Sequence, residues 1–225
     1  MDWGKAFTYV FDDKDWVTKI LIGGILSLIP VVNLVVLGYA LKVLKNVANG
    51  AEQPLPGWDD FGDYFVKGLV SFLGAVVWAL PVIIMGMLTA MFSIMTGYET
   101  SSNQVGPFVA CIWGLNCLSG LYGLFLCIVL PAACTKYAIH NEFGDFFRFG
   151  EIFKYIGSNL GNYIIALLLA WIAQFIAGFG VILCFIGVIF TAFWAILVGG
   201  HLFGQVYRVS TTPITPVTPT PEPTA

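Results

Sequence analysis

Residues 155–207 form an unbroken stretch of fifty-three without a single Asp, Glu, Lys or Arg, and no water-soluble fold can bury a run of that kind. As one helix it would reach roughly 80 Å, against a bilayer hydrocarbon core of about 30 Å, so it has to cross a membrane twice. The reversal is expected at Gly178-Phe179-Gly180, where glycine permits a tight turn and about twenty apolar residues remain on either side, enough to span.

The rest of the chain has the same character. It is 58% hydrophobic and only 10% charged, where soluble domains run near 25% charged. A net charge of −3 offers no basic field, so nucleic acid is excluded as a partner. The first nineteen residues carry Asp2, Asp12, Asp13 and Asp15 among three lysines, without an early apolar core or a small-residue cleavage site; no cleaved signal peptide is expected. Five cysteines lie in apolar runs with no C-x-x-C pair. They are expected to act as small buried hydrophobes.

Residues 1–19 read as an interfacial segment, because Trp3, Phe7, Tyr9, Phe11 and Trp16 suit the headgroup level. Residues 20–47 follow as a hydrophobic stretch broken at Ile29-Pro30-Val31-Val32-Asn33, since proline removes a helix hydrogen bond and clashes with the preceding turn. The stretch could span once with a kink or return as a re-entrant hairpin. Each arm has about fourteen residues, or roughly 21 Å of helix, too short to span. Charge also favours the hairpin. The ten Lys and Arg fall before this stretch, just after it, between residues 136 and 154, and at Arg208. A hairpin puts all ten on one side, so charged loops and C-terminus are expected in the cytoplasm. A spanning segment would leave three lysines outside. Irregular backbone at membrane depth must be covered, so the hairpin should pack on the later spans.

Residues 48–57 read as a turn region, and two units follow. In residues 58–135, Trp58, Phe61, Phe65 and Leu69 recur at helical spacing, an amphipathic entry into two spans joined by a polar loop at 96–106. In residues 142–207, Glu142, Asp145, Arg148, Glu151 and Lys154 repeat every three residues. One straight helix would spread these charges around its surface, so Gly144 and Gly150 are expected to divide the segment into two short surface helices ahead of the double span. Phe61-Gly62-Asp63-Tyr64-Phe65 is echoed by Phe149-Gly150-Glu151-Ile152-Phe153, the pattern of an internal duplication. Residues 209–225 form a Thr/Pro-rich tail expected to be disordered. The fold expected is an all-α integral membrane protein: a helical bundle of four full spans plus an N-terminal broken or re-entrant hairpin, with short amphipathic interfacial helices.

Chemistry is sparse. The spans hold no charged residue, and no catalytic signature, cofactor motif or metal-ligand spacing appears; His140 lies near Glu142 and Asp145 without the spacing of a zinc site. Asp59, Asp60 and Asp63 could meet Glu142, Asp145 and Glu151 at one face and hold a cation or basic partner, although a solvated charged face is the ordinary reading. Asn33, Asn116, Gln174 and Gln205 are candidates for interhelical hydrogen bonds. His201, in Gly199-Gly200-His201, is a candidate proton or ligand contact beside the last span. Gly157/Gly161 and Gly200/Gly204 have the G-x-x-x-G spacing that permits close helix approach.

Trp16 with Lys19, Ile22-Gly23-Gly24, Gly38-Tyr39 and Leu55-Pro56 with Trp58-Asp59-Asp60, ahead of a duplicated membrane core, resemble the prokaryotic multi-pass family called domain of unknown function 4013. The likeness covers roughly residues 11–208 and implies a membrane fold without catalytic residues. Gly57 stands where that pattern has a more polar residue. The expectation is a structural or interaction subunit with the lipid bilayer, a membrane protein or a second copy as partner; the alternatives are a small-molecule permease using Asn33, Asn116 and Gln174, and a lipid enzyme at the carboxylates.

Overall fold

The structure is a computed structural model that describes residues 1–97, 107–182 and 187–211. Among them there is no strand; the order is α1 (Lys5–Thr8), α2 (Trp16–Leu28), α3 (Asn33–Ala48), α4 (Phe61–Gly97), α5 (Pro107–His140), α6 (Phe149–Ser158), α7 (Leu160–Gly178) and α8 (Gly187–Thr211). Single 3₁₀ turns follow α1, α5 and α7. Helices α4, α5, α8 and α7 with its 3₁₀ extension are long and apolar enough to cross a membrane.

Helices α2 and α3 make the N-terminal hairpin. Ile29 precedes Pro30 and takes extended backbone, φ −91° and ψ 112°, because a following proline disfavours the α region. Val31 then sits at φ 72°, a left-handed conformation that strains a β-branched residue. Helix α3 ends in a Schellman motif. Gly50 supplies the left-handed residue at φ 79°, with Ala51 N–H bonded to Asn46 O and Gly50 N–H to Val47 O.

Both ends of the hairpin lie at the same end of the bundle. Asp2 N–H donates to Gln205 Oε1 of α8, a Cβ at Gly50 would meet the Arg208 guanidinium 3.2 Å away, and Lys45 Nζ caps α5 by donating to Ile139 O. The N-terminal segment, the end of α3, the start of α4 and the ends of α5 and α8 therefore share one end, and their basic residues gather there.

Helix α3 is the most enclosed element. It packs against α4 on one side and α8 on the other, backbone to backbone. A Cβ on Gly38 would collide with the carbonyl of Tyr64, and one on Gly68 with the carbonyl of Leu34. On the α8 side a Cβ on Gly204 would stand 2.7 Å from Leu44 O, and one on Gly200 3.0 Å from Ala40 O. The Gly200/Gly204 spacing is thus a true helix contact, whereas Gly157 and Gly161 face open space. Beyond Trp78 in α4 and before Val129 in α5 no described residue is buried; α6 and α7 reach this half only at its base, through Phe153 against Phe125 and Tyr163 donating to Ile128 O.

Several expectations change in detail. The reversal after α7 is longer than the glycine turn, since a 3₁₀ helix over Phe179–Ile182 continues it; residues 183–186 lie outside the described residues, as does Cys184. Gly180 serves close approach instead, for a Cβ there would hit Thr191 Oγ1 and Val188. The entry helix of the first unit is continuous with α4, which starts at Phe61. The second entry is split, but at Arg148 rather than Gly150, into the 3₁₀ helix Phe143–Phe147 and α6. The tail expected from residue 209 starts later, because α8 runs to Thr211; residues 212–225, and 98–106 of the expected polar loop, lie outside the described residues. Cys111, Cys117 and Cys127 are exposed on the apolar surface rather than buried. An apolar run has no solvent-facing side in a bilayer, so residue polarity gives no indication of which face turns inward.

Gly38→Ala is expected to lower stability by about 2 kcal/mol or more, because the clash is with backbone and only a separation of α3 from α4 relieves it. Gly86→Ala, into open space, is expected to be neutral or to stabilise by up to about 1 kcal/mol. Thermal unfolding of the two purified variants in one detergent checks both.

Candidate functional site

The residues that carry the family resemblance fasten the N-terminal hairpin to the bundle. Tyr39 stacks on Trp58 with ring centroids 4.2 Å apart and donates to Pro56 O at 2.8 Å. Trp58 Nε1 donates to Lys19 O, and Lys19 Nζ bridges Asp13 at 2.6 Å and Leu55 O at 3.2 Å. Gly23 and Gly24 admit Phe193 and Phe190 of α8, whose rings occupy the place of a Cβ. These are fastenings of hairpin to bundle: each buried polar atom meets a backbone group, and none is left for chemistry.

Among the described residues no three of the six carboxylates stand close enough to hold a metal ion. Among the described residues no hydrogen bond or ion pair links the two sets. Asp59 and Asp60 are exposed ahead of α4, and Asp63 pairs with Lys67 one turn along the same helix. In the other set Glu142 meets Arg148 at 2.9 Å and Glu151 meets Lys136 at 3.0 Å. The Lys136 hydrogen bond, with its charge, holds the Glu151 carboxyl below the usual carboxylate range. That tie is fully present above the ordinary carboxylate range and is lost as pH falls through the lower folded value.

Asp145 departs most from a solvated face, with 1% of its side chain exposed. Its Oδ2 accepts from His140 Nδ1 at 3.0 Å, and Arg148 Nη1 stands 3.0 Å from Oδ1 without the alignment of a hydrogen bond. Phe146 beside it is fully buried over Gly74, and Trp78 Nε1 donates to Phe146 O. The 3₁₀ helix is thereby pinned on α4, and the His–Asp pair serves that anchoring.

The intramembrane polar residues separate too. Asn33 is exposed at the hairpin tip, and Asn116 bonds Ile112 O within its own helix. Gln174 lines a crevice of about 320 Å³ between α3, α5, α7 and α8, whose other walls include Leu37, Leu41, Pro131, Trp171 and Gly199. It is an apolar crevice with one carboxamide, without Asn33 or Asn116.

His201 opens onto a different space, a cavity of about 540 Å³ at the charged end. Its walls come from four places: Asp2 and Lys5, Val47 at the end of α3, Glu52 and Pro54 in the following loop, and His201, Gln205 and Arg208 of α8. His201 is 5% exposed and stacks on Tyr9 at 4.3 Å. Gln205 is fixed by Asp2, accepting at Oε1 from its N–H and donating from Nε2 to its carbonyl. The second Nε2 hydrogen points to His201 Nδ1, 3.0 Å away, so Nδ1 accepts and Nε2 carries the ring proton. Sequence reasoning found His201 and Gln205 but not Lys5 or Glu52, because nothing in spacing joins residues 5, 52 and 201.

Fold and sites together define a multi-helix membrane-type protein with a glycine-packed hairpin and no assembled catalytic group among the described residues. A family model described as protein of unknown function (DUF4013) matches residues 22–186, and the chain belongs to that family. No curated protein and no solved structure matches it.

Asp145→Asn is expected to cost about 1–3 kcal/mol, because an amide cannot keep both charged partners at a buried position. Faster amide hydrogen exchange over residues 143–158, with α3 unchanged, is the accompanying signature.

Proposed function

We propose that this protein is a non-enzymatic subunit of the cell membrane, a structural or interaction protein whose α4–α5 pair seats another membrane protein or a second copy. The observation that carries this is the far half of the pair. Met87 is 68% and Trp113 73% exposed, on helices of 37 and 34 residues. The uncharged part of α4 alone, residues 68–97, counts thirty residues, or about 45 Å against a hydrocarbon core of about 30 Å. A mismatch of that size is relieved by tilting or by association with other helices. The gathering of basic residues at one end supports a cytoplasmic charged face. A permease finds support in the crevice, but only through Gln174.

Photo-crosslinking residues placed at Met87 and Leu121 in native membranes are expected to give discrete protein adducts. Lipid adducts alone at both positions would sink the subunit reading. The orientation has a separate check, with single cysteines introduced at Thr8 and Thr100 in an otherwise cysteine-free variant. An impermeant thiol reagent added outside is expected to label position 100 and spare position 8; labelling of both refutes it.

A further inference from the structure

We propose that the cavity at the charged end binds a zwitterion with a primary ammonium and a phosphate, the chemistry shared by a phosphatidylethanolamine headgroup and soluble glycerophosphoethanolamine. The argument rests on charges that the fold holds apart. Lys5 and Glu52 line this cavity and the smaller one beside it, of about 50 Å³. They do not pair with each other, and neither the Lys5 ammonium nor the Glu52 carboxylate makes a hydrogen bond or ion pair among the described residues. Two opposite charges across a shared space, left unneutralised, match a ligand that brings both signs in the opposite order.

His201 adds a directional donor. Its ring is fixed by Tyr9 on one face and by Gln205 at Nδ1, which leaves Nε2–H as its unused donor. Asp2 and Gln205 tie the segment bearing Lys5 to the turn bearing His201. The phosphate is thus received by Lys5 and His201, and the ammonium by Glu52 across the space. Val47 and Pro54 supply apolar wall for the two carbons that separate the charged groups. The Asp2 carboxylate accepts the Lys5 backbone N–H at Oδ1, 3.0 Å away, which ties it to the segment that carries Lys5, whereas the Glu52 carboxylate has no hydrogen bond or ion pair among the described residues and stands free for the ammonium. An ethanolamine headgroup donates hydrogen bonds to Glu52, and a choline headgroup has none to donate; the site is built to tell them apart.

The test uses the full chain in phosphatidylcholine nanodiscs. One arm titrates glycerophosphoethanolamine against glycerophosphocholine by calorimetry; the other compares nanodiscs with and without phosphatidylethanolamine by retention of that lipid in native mass spectrometry. The ethanolamine form is expected to bind about tenfold tighter or more than the choline form. Glu52→Gln is expected to erase that preference, and Lys5→Gln to weaken both forms about tenfold. Both side chains are exposed and unpaired, so the variants retain the fold, which an unchanged melting temperature verifies. Binding in the soluble arm assigns a free ligand, and selective retention in the lipid arm assigns a headgroup. No saturable binding in either arm, or equal binding by the wild type and both variants, overturns the site.

Discussion

The contact that the rest of this protein depends on is backbone against backbone, where α3 lies between α4 and α8. Gly38 and Gly68 bring α3 and α4 to the distance at which no Cβ fits, and Gly200 and Gly204 do the same for α8. In hydrocarbon the solvophobic drive between helices is missing, and close packing has to supply the association energy. Small residues matter more there than large apolar ones. Helix α3 is sixteen residues long, about 24 Å, too short to cross a bilayer. It is stable as a buried wedge because two longer helices enclose it.

A hairpin whose tip ends within a bilayer would have to settle its own backbone there, away from water. Here the reversal does much of this internally: Ile29 N–H bonds Leu26 O, Asn33 N–H bonds Ile29 O, Leu34 N–H bonds Val31 O and Val35 N–H bonds Val32 O. Pro30 contributes no N–H to satisfy. Val31 takes a left-handed conformation to close the set, and that strain sits where the backbone bonds compensate it. The exposed tip presents Val31, 65% accessible, beside the Asn33 carboxamide.

Much of this was readable from the chain. The uncharged stretches gave the long helices, Pro30 gave the break, and the distribution of Lys and Arg gave a hairpin with both ends together. What could not be read is which of 25 glycines make contacts. Gly200 and Gly204 do and Gly157 and Gly161 do not, though both pairs have the same spacing, because the difference lies in what faces them. Asp145 shows the same limit. On a sequence with charges at every third residue it looks like part of a solvated face, yet Phe146 and Trp78 carry it inward. The end cavity is harder still: its four walls come from parts of the chain that meet only after the hairpin has closed.

Gly200, which lets α3 approach α8, also lines the crevice beside that contact. Ala40, Ala170, Ala195, Gly199 and Gly200 all line that space, and none has the volume to fill it. A Cβ at Gly200 would press on Ala40 O, whereas one at Gly199 would enter open space, so close contact and void lie side by side along the same pair of helices. The charged end is held differently, by directional bonds from Tyr39, Trp58, Lys19 and Gln205 to backbone groups. Directional bonds fix position without filling volume, and the end cavity persists among them for that reason. Close packing thus determines how α3 joins the two helix pairs, and polar fastening determines the shape of the space at the charged end that Lys5, Glu52 and His201 line.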